Sequence, residues 1–70
     1  MKITTPNDLG MLIRERREAI ALKQGDLASI AGVDQGNLSK IERGNTTATL
    51  ETYLRLCAAL GIDILAEPRA

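Results

Sequence analysis

A chain of 70 residues makes one small domain, and its core is marginal because a domain this short buries only about 60% of its unfolded surface. With no Phe, no Trp and one Tyr, that core must be aliphatic, which favours helices over a sheet. Nine Lys and Arg balance nine Asp and Glu, so the net charge is not basic, and one Cys without any His excludes an internal disulfide and a Cys/His zinc site.

The first predicted helix runs from Pro6 to about Ala21. Thr5 can cap it, and Asp8 suits the positive end of the helix dipole. Its apolar face consists of Leu9, Leu12, Ile13 and Ile20. Arg17 shares that face and therefore needs a buried partner.

Two short helices are predicted next, at about Gln24–Ala31 and Gln35–Arg43, with only a few residues between them. Gly32 stops the first, and Asp34 is a good N-cap for the second. The inner positions are Leu27, Ala28 and Ala31 in one helix and Leu38 and Ile41 in the other.

The fourth predicted helix is capped by Thr49 and ends near Leu60, before Gly61. We expect its buried side to consist of Leu50, Leu54, Cys57, Ala58 and Leu60. Cys57 is interpreted as a small core residue without chemistry, and Tyr53 as a residue of the core edge or of a dimer contact.

The segment 62–66 is short and rich in β-branched residues, which indicates a strand. A lone strand in a helical chain has nothing to pair with, so its backbone groups would need the same segment of a second copy. We therefore predict that Ile62, Ile64 and Leu65 mediate dimerisation.

The stretch 24–44 carries the most informative spacing. Ala28 is small where two helices cross, Gly32 permits a left-handed turn, and Leu38 and Ile41 anchor the third helix. Its Gln-x-x-Leu-Ala element (24–28) and Ile-Glu-x-Gly element (41–44) resemble the helix-turn-helix of the phage repressor and Cro (XRE-like) family, over about residues 9–60. The resemblance implies an all-α, lambda-repressor-like bundle of four to five helices, forming a single domain over 1–70 with its core at 6–60.

In that family the start of helix three enters the major groove of DNA, so the resemblance implies that Gln35, Asn37 and Lys40 contact bases. It also implies phosphate contacts from Gln24, Ser39, Arg43 and Asn45. Gln and Asn can pair with adenine, and Lys can donate to guanine. Gly36 departs from the family, since many members carry a DNA-facing side chain there. The competing interpretation is a merely solvated helix face.

The family resemblance further implies a structural ion pair between Arg17 and Glu42, which would tie helix one to the end of helix three. If that pair is buried, removing one partner is costly. The alternative is an exposed pair of almost no energetic consequence.

These features favour a sequence-specific repressor that binds an inverted-repeat operator as a homodimer. The Thr-rich loop and the strand-like tail resemble the HipB-like antitoxins, which also bind a HipA-like kinase toxin. A stand-alone XRE-like regulator and a protein-protein interaction module remain alternatives, the latter because the net charge is neutral. No catalytic constellation, cofactor or metal is expected, and the absence of a long apolar run or a signal-peptide core predicts a cytoplasmic protein.

Overall fold

The computed structural model describes residues 2–70 and confirms the all-α helix-turn-helix fold. Its helices are α1 (Pro6–Ala19), α2 (Gln24–Ala31), α3 (Gln35–Arg43) and α4 (Leu50–Ala59). Met1, which belongs to the predicted domain, lies outside the described residues. Within residues 2–70, none of the helices combines the length and the apolar character needed to cross a membrane.

Helix α1 begins with a reciprocal cap. The Asp8 N–H donates to the Thr5 hydroxyl at 3.2 Å, and the Asp8 carboxylate accepts from the Thr5 N–H at 3.0 Å. Hydrogen bonds from Thr4 and then from Thr5 hold the pKa of Asp8 below its ordinary value. Because the folded state binds this proton less well than the unfolded state, the cap stabilises the helix at neutral pH and weakens as the pH falls through the lowered pKa.

Helix α1 ends two residues earlier than predicted. Ala21 has φ 55°, in the left-handed region that a right-handed helix cannot include. The chain turns there, and the Leu22 N–H donates to the Arg17 carbonyl at 3.0 Å. The prediction that Ile20 faces the core is therefore wrong, and its side chain is 42% exposed.

The connection between α2 and α3 is three residues long and matches the predicted turn. Gly32 has φ 69°, and the Val33 N–H donates to the Ala28 carbonyl at 2.9 Å. Asp34 then caps α3 by accepting from the Asn37 N–H at 3.0 Å. The start of α3 is thus held at a defined angle to α2.

The core collects aliphatic side chains from all four helices. Its buried members are Ile13, Leu27, Ala28, Ala31, Leu38, Ile41, Tyr53, Leu56, Cys57 and Leu60. Cys57 is a core residue as predicted, and burial raises the pKa of its thiol, which keeps it protonated and unreactive at neutral pH. Tyr53 is also buried, and its hydroxyl accepts from the Ala48 N–H at 3.2 Å, so it anchors the loop before α4.

The predicted buried side of α4 is partly wrong. The core receives Tyr53, Leu56, Cys57 and Leu60. Leu50 and Leu54, by contrast, are 67% and 45% exposed, and Ala58 is exposed as well. The helix therefore carries two apolar stripes, and only one of them packs within the single chain.

The predicted strand at 62–66 is not formed in the single chain, where residues 62–70 have no regular secondary structure. The physical reason is that a strand is stabilised by hydrogen bonds to a neighbouring strand, and the described part of the chain contains no strand with which this segment could pair. The place where this tail leaves α4 is nevertheless held, because the Arg16 Nε donates to the Leu60 carbonyl at 3.0 Å.

Gly10 lies at the close crossing of α1 and α3. A Cβ there would overlap the carbonyl oxygen of Ile41 and lie 3.2 Å from its carbonyl carbon. Because backbone cannot move aside as a side chain can, we expect Gly10→Ala to lower the free energy of unfolding by roughly 1–3 kcal/mol. Urea unfolding followed by circular dichroism measures this change.

The matched control is Gly36→Ala in α3. A Cβ on Gly36 would meet only the flexible carboxylate of Asp34, at 3.1 Å, so we expect a change of under about 1 kcal/mol. A Gly10→Ala variant at least as stable as the wild type would show that α1 and α3 are not in close contact.

Candidate nucleic-acid interface

Helix α3 has one buried side and one polar side. Leu38, Ile41 and Glu42 are buried, whereas the three predicted base-contacting residues, Gln35, Asn37 and Lys40, are all exposed. Within residues 2–70, the side-chain amide of Asn37 and the ammonium of Lys40 have no hydrogen-bond partner. They are therefore available to a ligand that approaches this face of α3.

Gln35 also lies close to another helix. Its side-chain oxygen lies 3.1 Å from where a Cβ on Gly25 would stand, so the amide rests against the first turn of α2. A side chain at position 25 would require the Gln35 amide to move by a few tenths of an ångström. Gln35 therefore lies where α2 and α3 meet. The sequence predicts that Gln35 contacts bases, but it does not predict this contact with α2.

Arg17 and Glu42 form a bidentate ion pair. The Arg17 Nε and Nη2 donate to the two carboxylate oxygens at 2.7 and 2.9 Å, and the Arg17 Nη1 donates to the Leu22 carbonyl at 2.9 Å. The two side chains are only 13% and 2% exposed. The hydrogen bond to Glu42 raises the pKa of the Arg17 guanidinium, so Arg17 stays charged at any physiological pH.

Gln24 belongs to the same network. Its Nε2 donates to Glu42 Oε1 at 3.1 Å, a contact that the sequence did not suggest because the two residues are 18 positions apart. The amide nitrogen carries a second hydrogen, which remains for an external acceptor. Glu42 thus orients a residue that was predicted to contact phosphate.

A cleft of about 160 Å³ opens where α1, α2 and α3 meet, and we call it the junction cleft. It is lined by Arg14, Arg17, Gln24, Ser39, Glu42 and Arg43. Three of the four predicted phosphate-contacting residues lie there, whereas Asn45 is exposed beyond the end of α3 and does not line it. The Arg43 Nε donates to the Ser39 carbonyl at 3.2 Å, which holds the Arg43 side chain along α3.

A second surface is a larger apolar groove of about 850 Å³ between α1, α4 and the two chain ends, here called the α1–α4 groove. Five of the eight most exposed large hydrophobic side chains among the described residues line it: Ile3, Leu50, Leu54, Ile64 and Leu65. Of the predicted dimerisation residues, Ile62 is half-buried against the core, Ile64 is 45% exposed and Leu65 is 89% exposed. The second apolar stripe of α4 thus faces the same space as the tail.

Known protein families and structures share this arrangement. Residues 8–69 match the family described as the helix-turn-helix domain. A transcriptional regulator of the same type from Sinorhizobium fredii is 40% identical over 67 residues, which cover 93% of this chain and 88% of that protein. One from Haemophilus influenzae is 40% identical over 52 residues, covering 74% of this chain and 53% of that protein.

Solved structures show the same fold. The restriction-modification controller protein C.AhdI from Aeromonas hydrophila superposes with a TM-score of 0.76 at 34% identity, covering 83% of this chain and 88% of that one. HipB, solved in complex with an O2 20mer, gives a TM-score of 0.85 at 23% identity and covers 100% of this chain and 97% of that one. By its sequence match and its fold, the chain belongs to the XRE-like helix-turn-helix family of transcriptional regulators.

Proposed function

We propose that this regulator is a sequence-specific repressor that binds an inverted-repeat operator as a homodimer. The observation that carries the proposal is the two-sided α3, whose inner side is held by Leu38, Ile41 and Glu42 while its outer side presents polar groups. A helix held in this way fits the major groove of B-DNA, where base edges are distinguishable.

The polar residues predicted to contact DNA divide into two kinds by chemistry. Gln35, Asn37 and Lys40 can form directed hydrogen bonds to base edges, each worth roughly 1–3 kcal/mol of discrimination when well placed. Gln24, Ser39, Arg43 and Asn45 lie to the side of these and suit phosphate oxygens, which position the protein but carry no sequence information. Specific and non-specific binding should therefore depend on different residues.

The homodimer is supported by the α1–α4 groove. A monomer would leave Leu50, Leu54 and Leu65 in water, and the tail would lack a partner for its backbone groups. A second copy, related by a two-fold axis and packed on this groove, would cover these leucines and provide a partner for the backbone groups of the tail. It would also present two copies of α3 to half-sites about 34 Å apart or a multiple of that distance.

Two substitutions separate base contact from phosphate contact. We expect Lys40→Ala to relax base preference at one position of each half-site, with a loss of roughly 1–3 kcal/mol confined to the preferred operator. Gln24→Ala should instead weaken operator and unrelated duplex alike, because it removes a phosphate contact. Fluorescence anisotropy with the protein's own upstream DNA and with a scrambled duplex of equal length measures both.

The wild-type protein is the reference for this comparison, and it should prefer an inverted repeat to the scrambled duplex. Equal and uniform losses from the two variants would contradict the division of roles. No preference of the wild type for any palindrome would contradict sequence-specific repression itself, and would favour a protein-protein interaction module built on the same fold.

The second candidate role is that of a HipB-like antitoxin. The likeness to HipB extends over the whole chain, including the tail after α4, and HipB has been solved in a HipA–HipB–O2–O3 complex. On this proposal the chain also binds a HipA-like kinase toxin. Co-expression with the product of the adjacent gene tests it: a stable complex with a kinase-like neighbour supports an antitoxin, and a neighbour of another kind favours a stand-alone regulator.

A further inference from the structure

We propose that Arg14 of α1 completes the junction cleft as a phosphate-binding site. On this proposal α1 contacts the DNA backbone together with α2 and α3, the helix-turn-helix pair. This inference rests on the proposed DNA-binding function and names a ligand class, a DNA phosphate, for a cleft whose predicted phosphate contacts, Gln24, Ser39 and Arg43, come from α2 and α3. Two arginines of α1, which the sequence does not distinguish, lie in different surroundings in the fold.

Arg14 and Arg16 are both exposed residues of α1. Two helical positions separate them by about 200° around the axis, so they serve opposite sides of the molecule. Arg14 lines the junction cleft beside Gln24 and Arg43, whereas Arg16 caps the end of α4 through the Leu60 carbonyl. Arg16 therefore has a structural role, whereas Arg14 lies beside residues that are predicted to contact phosphate.

The charge balance inside the cleft favours an anion. Its only carboxylate, Glu42, is neutralised by Arg17, and both of its oxygens already accept hydrogen bonds. Arg14 and Arg43 also line the cleft, and Glu18, the carboxylate 3.5 Å from Arg14, lies outside the lining, so the lining itself carries more cations than carboxylates. This local excess explains how a chain of zero net charge can still attract a phosphate, because attraction depends on where charges lie.

Arg14 is also free to move to a ligand. Its nearest carboxylate is Glu18, one turn along α1, at 3.5 Å, with both side chains more than half exposed. Exposed pairs of this kind contribute about 0–1 kcal/mol, so exchanging Glu18 for a phosphate costs little. The donors in the cleft lining then include the Arg14 guanidinium, the unused nitrogens of Arg43, the Ser39 hydroxyl and the second hydrogen of the Gln24 amide.

The salt dependence of binding tests this site. The quantity to measure is the affinity of the full chain for its upstream duplex and for an unrelated duplex of equal length, between about 50 and 200 mM salt. Each phosphate contact contributes about −0.9 to the slope of log K against log salt. Arg14→Gln, which keeps most of the length and removes the charge, should therefore flatten the slope by about one for each bound copy, on both duplexes.

Two matched variants accompany it. Arg55→Gln removes an exposed arginine of α4 that does not line the cleft, and it should leave the slope unchanged. Glu18→Gln removes the partner of Arg14 but keeps the cation, and it should not flatten the slope. Melting curves of all three should coincide with that of the wild type, since none of these side chains is buried.

The outcomes separate the inference from the function on which it rests. If the wild type binds DNA with a steep salt dependence and Arg14→Gln keeps the same slope, Arg14 is not a phosphate ligand while the repressor proposal stands. If Arg14→Gln loses affinity only for the upstream duplex, the side chain contacts a base and the phosphate assignment is wrong. If the wild type binds neither duplex, the proposed function fails and this site fails with it.

Discussion

Replacing Glu42 with alanine is expected to lower the free energy of unfolding by about 3–5 kcal/mol, because it leaves the Arg17 guanidinium largely buried without its counter-charge. Arg17 would keep only its bond to the Leu22 carbonyl. Small domains are stable by roughly 0.05–0.15 kcal/mol per residue, so this loss is comparable with the whole stability of the chain. Thermal melting followed by circular dichroism should show a markedly lower Tm.

Glu18→Ala is the matched control, since it makes the same substitution in the exposed pair with Arg14. We expect a change of under about 1 kcal/mol there. A Glu42→Ala melt that barely moves would refute a stabilising role for the Arg17–Glu42 pair. Glu42→Gln should be intermediate, because the amide keeps one oxygen acceptor but loses the charge.

Replacing Leu65 with aspartate is expected to convert the proposed homodimer into monomers and to weaken operator binding by about 10²–10⁴-fold. The side chain is 89% exposed in the single chain, so the fold of each copy should be unaffected. In the proposed dimer the same position is covered, and burying an unpaired carboxylate there is strongly unfavourable. A monomer also loses the second half-site, whose binding is effectively intramolecular in a dimer.

Sedimentation velocity gives the oligomeric state and fluorescence anisotropy the affinity. Ile30→Asp is the control, because it places the same charge at another apolar residue, 64% exposed, on α2 and outside the α1–α4 groove. That variant should stay dimeric. If Leu65→Asp sediments like the wild-type dimer, the tail is not part of the interface, and a wild type that is already monomeric would refute the homodimer.

The elements that were predicted well depend on neighbours in the chain. The caps at Thr5, Asp34 and Thr49 each accept a hydrogen bond from the N–H three residues later, and the left-handed Gly32 ends α2 by itself. Such interactions can be recognised from residue type and spacing alone. The helix boundaries consequently agree with the structure to within about two residues.

The candidate site was predictable only in part. The exposed polar row of α3 follows from helical spacing, because Leu38 and Ile41 fix which side is buried. The partnership of Arg17 with Glu42, by contrast, was implied by family resemblance and spans 25 positions. The hydrogen bond from Gln24 to Glu42 had no such signal, since no local pattern relates the start of α2 to the end of α3.

What the amino-acid order determined by itself is therefore local: four helices, their caps, the tight turn, and the polar character of the outer face of α3. The tertiary structure alone decided which stripe of α4 meets the core, which of Arg14 and Arg16 lies beside the residues predicted to contact phosphate, and that the tail is unpaired in one chain. The physical reason is that periodicity states which residues share a face of a helix, whereas the partner of that face is set by packing between segments far apart in the chain.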